Sequence, residues 1–386
     1  MKKHILPYIA IIMILGSLFS CAYFNDSDNK VIQLACDTTN EHPAPLLSTL
    51  ISKIEYIPLE TNDTTLGDYW DAVVTDKYIV TATSTGCHVF LRKNGAFIRT
   101  IGMKGDQGAL GYSSFTSPLY VINNRVLLKR NKELILFSVE DGTLLRKITM
   151  EEEEEERHTY DDMVPLNDTT MIIYSHNQTG ENEYNLQIRT FSGEVLKTVP
   201  ASNRFERIDK TARVSFNNEC VFYNYGSNIY MREFTCDTIY KIDASMNLIP
   251  YYSLELGDKL PPANSREEWK SYYLRFGKII ETKRYLILSE TGVTSSDARF
   301  GFIYDKVSGE TKYLNHIKDG IGFTNDLDGF INFWSIKSRG NETQEIWQMI
   351  QAEDLLQQAS SKQTEYPFLE SIHEEDNPII IIGTTI

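Results

Sequence analysis

The sequence predicts an all-β chain: a six-bladed β-propeller with one inserted helix, preceded by a lipoprotein signal peptide. Three observations carry this reading. An apolar run near the N-terminus stops at a cysteine. A phrase of short strands and polar turns returns six times, with a period of about 35 to 50 residues. Both ends of the chain then offer strands suited to closing a ring.

Lys2 and Lys3 precede the apolar run Ile5 to Phe19, which is too short to span a bilayer comfortably. Leu18-Phe19-Ser20-Cys21 resembles the bacterial lipobox, whose cysteine is acylated before cleavage. Residues 1–20 therefore read as signal peptide and Cys21 as the lipidated mature N-terminus. Residues 21–50 read as a tether and N-terminal segment, and residues 51–386 as the propeller. The acyl chains that the resemblance implies would make membrane attachment effectively permanent. Asp26 and Asp28 soon after Cys21 are compatible with export to the cell surface.

Loss of Lys2 and Lys3 leaves 36 basic against 53 acidic residues, a formal charge of −17. Phosphate binding needs a basic face, so no nucleic-acid partner is expected, and direct docking on anionic lipid is disfavoured. With 22 Tyr and 18 Phe, abundant β-branched residues and few long amphipathic patterns, the composition favours a β repeat architecture over several ordinary domains. Cys36, Cys87, Cys220 and Cys236 show no C-x-x-C or metal spacing. Cys220 and Cys236 either pair across neighbouring strands or serve as buried thiols.

The first full copy runs from Trp70 to Gly102, with turns at Asp76-Lys77, Thr85-Gly86 and Asn94-Gly95, the last a strong hairpin signal. The second spans Ser117–Met150, with turns at Asn123-Asn124, Asn131-Lys132 and Asp141-Gly142. The third spans Pro165–Val199, with Ser192-Gly193 as its final turn. The others span Ala212–Leu256, Gly277–Leu314 and Ile321 to about Ile350. A long β-sandwich pair would not be expected to return to x-[NDS]-G-x turns so regularly. For closure, either IEYIPL at 54–59 or the terminal PIIIIGTTI, which follows the helix-like EDLLQQA, is expected to complete the sixth blade. Glu151–Glu156 reads as a solvated loop, because adjacent like charges repel. Residues 264–276 begin with Asn264 or Ser265 as N-cap and bring Trp269, Tyr272, Tyr273 and Phe276 to one helical face, which predicts the inserted helix between blades 4 and 5.

IEYIPLET at 54–61, VFLRKNGAFIRTIGMKGDQGALGY at 89–112, TNDLDGF at 324–330 and EEDNPIIII at 374–382 together resemble the Bacteroides-type six-bladed β-propeller lipoproteins, a family related to the NHL-repeat propellers. The resemblance covers nearly the whole mature chain and implies architecture and an envelope location, with no activity. Gly108-Ala109-Leu110-Gly111-Tyr112 lacks the family's Pro and Glu, and Phe330 stands where a second Gly is common.

No G-x-S-x-G, H-E-x-x-H, Walker or Rossmann motif is present, so no catalytic residue, cofactor or metal is assigned. Glycines 102, 105, 108 and 111 suit an irregular turn. Asn325, Asp326 and Asp328 resemble part of a calcium loop without the remaining oxygen ligands and read as a turn. His88, His158, His176 and His316 are scattered singly, although a propeller axis is able to combine residues from several blades. Among the aromatics of the last three blades, namely Tyr223, Tyr225, Tyr230, Trp269, Tyr272, Tyr273, Trp334 and Trp347, the candidate ligand-binding residues are Trp269, Tyr272, Tyr273 and Trp334.

The leading expectation is a non-enzymatic outer-membrane lipoprotein, tethered through Cys21, that binds a glycan, peptide or protein partner. The alternative is a carbohydrate lyase or hydrolase with a composite axial site. A third reading, a structural partner of an outer-membrane transporter, predicts an apolar patch at the inserted helix. An enzyme predicts a deep axial pocket with paired acids or a perturbed His; a binding module predicts a shallow aromatic face.

Overall fold

A computed structural model describes residues 31–386 except 106–107, 116–118, 131–132, 150–161, 168, 212–215, 217, 267, 292–297, 315–321, 335–336, 340–344 and 360–365. The expected signal peptide, Cys21, the acidic run at 151–156, His158 and His316 lie outside the described residues. Residues 32–386 form one compact unit.

Blade 1 is a four-stranded antiparallel meander of Tyr69–Val74, Tyr78–Thr83, Cys87–Leu91 and Phe97–Ile101. In blade 2 the inner strand is split into Ser114–Phe115 and Val121–Ile122. Arg125–Arg130, Glu133–Ser138 and Leu144–Thr149 follow. Blade 3 runs from Asp162 to Pro200, blade 4 from Cys220 to Glu255 and blade 5 from Phe276 to Leu314, each with four antiparallel strands in chain order. Polar two-residue turns make these hairpins. Gly95 has φ +70°, and Asn123 and Asn124 have φ 47° and 57°, the twin left-handed conformations that match a turn to strand twist.

Blade 6 uses both ends of the chain. Lys337–Arg339 and Glu345–Ile350 are followed in the sheet by Ile379–Thr385, and Ile51–Pro58 pairs outside that strand. The terminal strand and the IEYIPL strand therefore both complete the blade, where the sequence led us to expect one of them. Residues preceding the ring wrap the outside: Ile32–Ala35 adds a parallel fifth strand to blade 4, and Glu41–His42 does the same for blade 5. These short strands cover edges that would otherwise present unpaired backbone groups.

Among the described residues, six apolar clusters fill the spaces between neighbouring blades, for example Val80, Val89, Val126 and Phe137 between blades 1 and 2, or Ala72, Phe90, Trp347 and Ile380 between blades 6 and 1. Each blade is buried on two faces, so its central strands are apolar runs, such as the wholly buried Tyr78–Thr83.

The inserted helix is corrected. Among the described residues, 264–276 hold only the end of a short 3-10 turn, Ala263–Arg266, and Phe276 is the buried first residue of blade 5. The stretch is rich in aromatics, which are poor helix formers, and the strand claims one of the four residues that defined the helical face. The α-helix lies instead at Ala352–Ala359, within blade 6 between its second and third strands. It buries Ala352, Leu355 and Ala359 against Leu47 and Ile372. Cys220 sits opposite Glu233 across its hairpin, and Cys236 lies beyond that strand. All four described cysteines are free thiols.

His88 of blade 1 is buried, with Nε2 3.0 Å from the Thr85 hydroxyl and Nδ1 3.0 Å from that of Thr100. Burial pushes its pKa down from 6.5 to about 4. Between these values the unfolded chain binds the extra proton, so His88 removes stability as the pH falls through the window. Relative to a His88→Gln variant, the protein should lose about 3 kcal/mol between pH 7 and pH 4, measured by urea denaturation at each pH. Parallel pH profiles would show that His88 contributes nothing.

Candidate functional site

The inner strands surround a cavity of about 1070 Å³ on the propeller axis. It runs from Trp70, Lys104, Ser113 and Phe115, near the starts of the inner strands, to Asp76, Lys77, Asn123 and Asn124 at their far ends.

The way blade 1 reaches the axis follows from a β-bulge. Tyr69 pairs with Thr83 and Asp71 with Ala82, so Trp70 is an extra residue and both Trp70 and Asp71 line the cavity. A bulge breaks the strict alternation of faces and re-aims side chains. Blade 5 carries one at the corresponding place: Phe276 pairs with Glu290 and Lys278 with Ser289, leaving Gly277 as the extra residue. The same irregularity therefore delivers an indole and a carboxylate on blade 1, and bare backbone and an ammonium on blade 5.

Trp70 is 51% exposed, an unusual state for the largest apolar side chain. Its ring meets Phe115 edge-on with centroids 5.7 Å apart, and Phe115 packs in turn on buried Tyr112. The Lys104 ammonium stands 5.2 Å from the indole centroid and donates to the Ser84 carbonyl at 2.6 Å. Lys104 is positioned by the glycine-spaced turn: Met103–Lys104 pairs in parallel with Gly111–Tyr112, and Gly102, Gly105 and Gly108 all adopt positive φ.

Deeper in the wall, Asp71 Oδ2 accepts the Leu119 N–H at 2.8 Å. Asp162, the first residue of blade 3, lies 3.3 Å from His176 Nε2, and His176 Nδ1 is 3.9 Å from the buried Glu219 of the next blade. Tyr120 of blade 2 is half-buried and lines the same cavity. Its phenol is held above the usual range by burial, then by the charges of Asp162 and Asp71. Cys220 also lines the cavity, and burial keeps it a thiol. Among the described residues, no group of three or more His, Cys, Asp or Glu side chains is arranged to hold a metal ion.

The sequence-derived candidates lie in two places. Trp269, Tyr272 and Tyr273 come together in the connection from blade 4 to blade 5: Trp269 packs 5.2 Å from Phe216 and 5.5 Å from Tyr273, and Tyr272, 54% exposed, contacts Tyr273 at 4.9 Å. Buried Arg275 spreads its guanidinium over Phe216 and Trp269. Burial lowers its pKa, and the charge of Glu219 opposes that shift. Trp334 is packed against the core between blades 5 and 6. Tyr223, Tyr230 and Trp347 are buried between blades. Asn325, Asp326 and Asp328 make a turn: Asn325 accepts the Leu327 N–H, Asp326 accepts the Ser48 N–H, and Asp328 accepts the Tyr56 hydroxyl.

Trp70, Asp71, Tyr120 and Asp162 escaped the sequence reading. Trp70 was visible as the lone Trp opening the first copy, but the bulge that turns it to the axis leaves no mark in the residue pattern.

Fold and cavity define the class: a six-bladed β-propeller with an axial cavity of mixed aromatic and acidic lining. The family described as Domain of unknown function (DUF4934) matches residues 29–384, and the chain belongs to it. Among solved structures, a Bacteroides fragilis protein described as exported shares the fold, with 17% identity, a TM-score of 0.62, and coverage of 92% of this chain and 99% of that one. The extracellular domain of a B. thetaiotaomicron protein assigned as a one-component system aligns at 6% identity and TM-score 0.39 over 81% of this chain and 32% of that one, too distant to carry an argument. No curated protein matches the sequence.

Proposed function

We propose that the protein is a cell-envelope lipoprotein, held at the outer membrane through Cys21, whose propeller binds a ligand in the axial cavity beneath Trp70 without transforming it. The observation that carries this reading is a half-exposed indole at the rim of a cavity large enough for a small organic ligand. A planar indole stacks on the apolar face of a sugar ring, and carboxylates beside it accept hydroxyl or amine protons. The description of the B. fragilis neighbour as exported supports an envelope location. Among the described residues no helix is long and apolar enough to cross a membrane. Trp269, Tyr272 and Tyr273 form a second aromatic surface, suited to an outer-membrane protein partner.

The test is a glycan array and thermal-shift screen on soluble chain starting after Cys21, with Trp70→Ala and Trp269→Ala in parallel. The expected result is a ligand whose affinity falls about thirtyfold in Trp70→Ala, or about 2 kcal/mol, and is unchanged in Trp269→Ala. The reverse pattern would move the site to the blade 4–5 connection. Asp162 beside His176, with Tyr120 between two carboxylates, favours a second reading, a carbohydrate lyase or hydrolase. Product formed from the hit by wild type, and lost in Asp162→Asn with binding retained, would establish it.

A further inference from the structure

We propose that the axial cavity recognises its ligand through a primary ammonium group, seated on the wall that blades 1, 2 and 3 present and capped by the Trp70 ring. This rests on the axial cavity being the ligand site.

Three consecutive blades contribute to that wall: Asp71 from blade 1, Tyr120 from blade 2 and Asp162 from blade 3. All three line the one cavity, and Asp71 reaches the backbone next to Tyr120 through its bond from the Leu119 N–H at 2.8 Å. Two lysines of the lining are already engaged: Lys77 is tied to Glu140 at 2.6 Å, and Lys104, which stands at the Trp70 end of the cavity, donates to the Ser84 carbonyl. Lys278 comes from blade 5, which in a ring of six is diametrically opposite blade 2. The cavity thus sets the carboxylates of blades 1 and 3 across the axis from Lys278 of blade 5.

An ammonium carries three N–H donors and no acceptor, and two carboxylates with a phenol oxygen are three acceptors. Charge-assisted bonds of this kind are about twice as strong as neutral ones. The indole adds attraction of its own, and Lys104 already shows that ring taking an ammonium nearby. A formal charge of −15 further enriches cations at the surface. Ring stacking and ammonium capture together describe an amino sugar more closely than a linear polyamine.

The experiment is calorimetric titration of the soluble chain with a glucosamine trimer, its fully N-acetylated counterpart and spermidine, at low and at 0.5 M salt. Wild type, Asp71→Asn, Asp162→Asn and Trp70→Ala are compared, each first checked for an unchanged thermal transition. Asn at 71 keeps an acceptor for the Leu119 N–H. The inference expects the free-amine trimer to bind at least tenfold more tightly than the acetylated one, with that preference weakened by salt and lost in both Asn variants. Equal binding of the two trimers, abolished in Trp70→Ala, would overturn the ammonium and leave the axial site standing. Spermidine matching the glucosamine trimer would keep the ammonium and remove the sugar. Binding by none of the three probes, with a different hit from the array that depends on Trp70, would overturn the ammonium alone; no Trp70-dependent ligand at all would overturn both.

Discussion

Removing residues 379–386 is expected to abolish the cooperative thermal transition. Ile379, Ile380, Ile381 and Ile382 are essentially inaccessible, and the strand they form is hydrogen-bonded on both sides, to Glu345–Ile350 and to Ile51–Pro58. Burying an isoleucine is worth about 1.5–3 kcal/mol, so four account for roughly 6–12 kcal/mol, comparable to the whole stability of an ordinary domain. The loss also opens two strand edges where the start and end of the ring meet. Circular dichroism and limited proteolysis of the truncated chain check this. A synthetic peptide of residues 376–386 should restore protection if the deficit is the missing strand. A truncated chain that still melts cooperatively within a few degrees of the intact one would show that the ring does not depend on this closure.

Lys306→Met is expected to cost about 3 kcal/mol, because it leaves a buried carboxylate without its cation. Glu281 is the last residue of the blade 5 inner strand and its side chain is inaccessible. Lys306 Nζ lies 2.6 Å from Oε1 and also donates to the Thr282 carbonyl at 2.7 Å. Tyr223 and Tyr252 donate their hydroxyls to the same carboxylate, each at 2.9 Å, and the lysine sits 4.0 Å from the centre of the Tyr225 ring. Burial, followed by the Glu281 charge, raises the Tyr223 phenol well above its ordinary range, so it remains a donor. The measurement is the urea midpoint at constant slope. Adding Glu281→Gln should recover most of the loss at neutral pH. If the single substitution costs less than about 1 kcal/mol, the pair contributes little more than an exposed one would.

The blades were readable because each is a local object. Asn94-Gly95, Asn123-Asn124 and Asp141-Gly142 have conformations that few other residue pairs adopt, and the runs between them alternate or stay apolar according to burial. The parallel strands Ile32–Ala35 and Glu41–His42 were not readable. Two to four residues carry no period, and their partners lie more than 200 positions away. The aromatic stretch 264–276 misled because its spacing fits a helix, whereas its Trp269 and Arg275 pack on Phe216, far away in the chain. The cavity was invisible for a similar reason. Trp70, Tyr120 and Asp162 belong to three blades, and only the packing of those blades within the closed ring makes them neighbours.

That closure also sets a clock. Pro58 pairs with Ile379, so 321 positions separate the two sides of the last seam. At about 5–20 residues per second of synthesis, the first strand of the ring waits roughly 15–65 s for its partner. During that interval it is an unpaired edge, and the native arrangement leaves it outermost in its sheet, with Lys53 and Glu55 along it and Pro58 at its end. Charges and a proline are the residues that discourage a strand from recruiting the wrong neighbour. The seam thus joins late and slowly, and its opening strand is built to remain single until the final residues arrive.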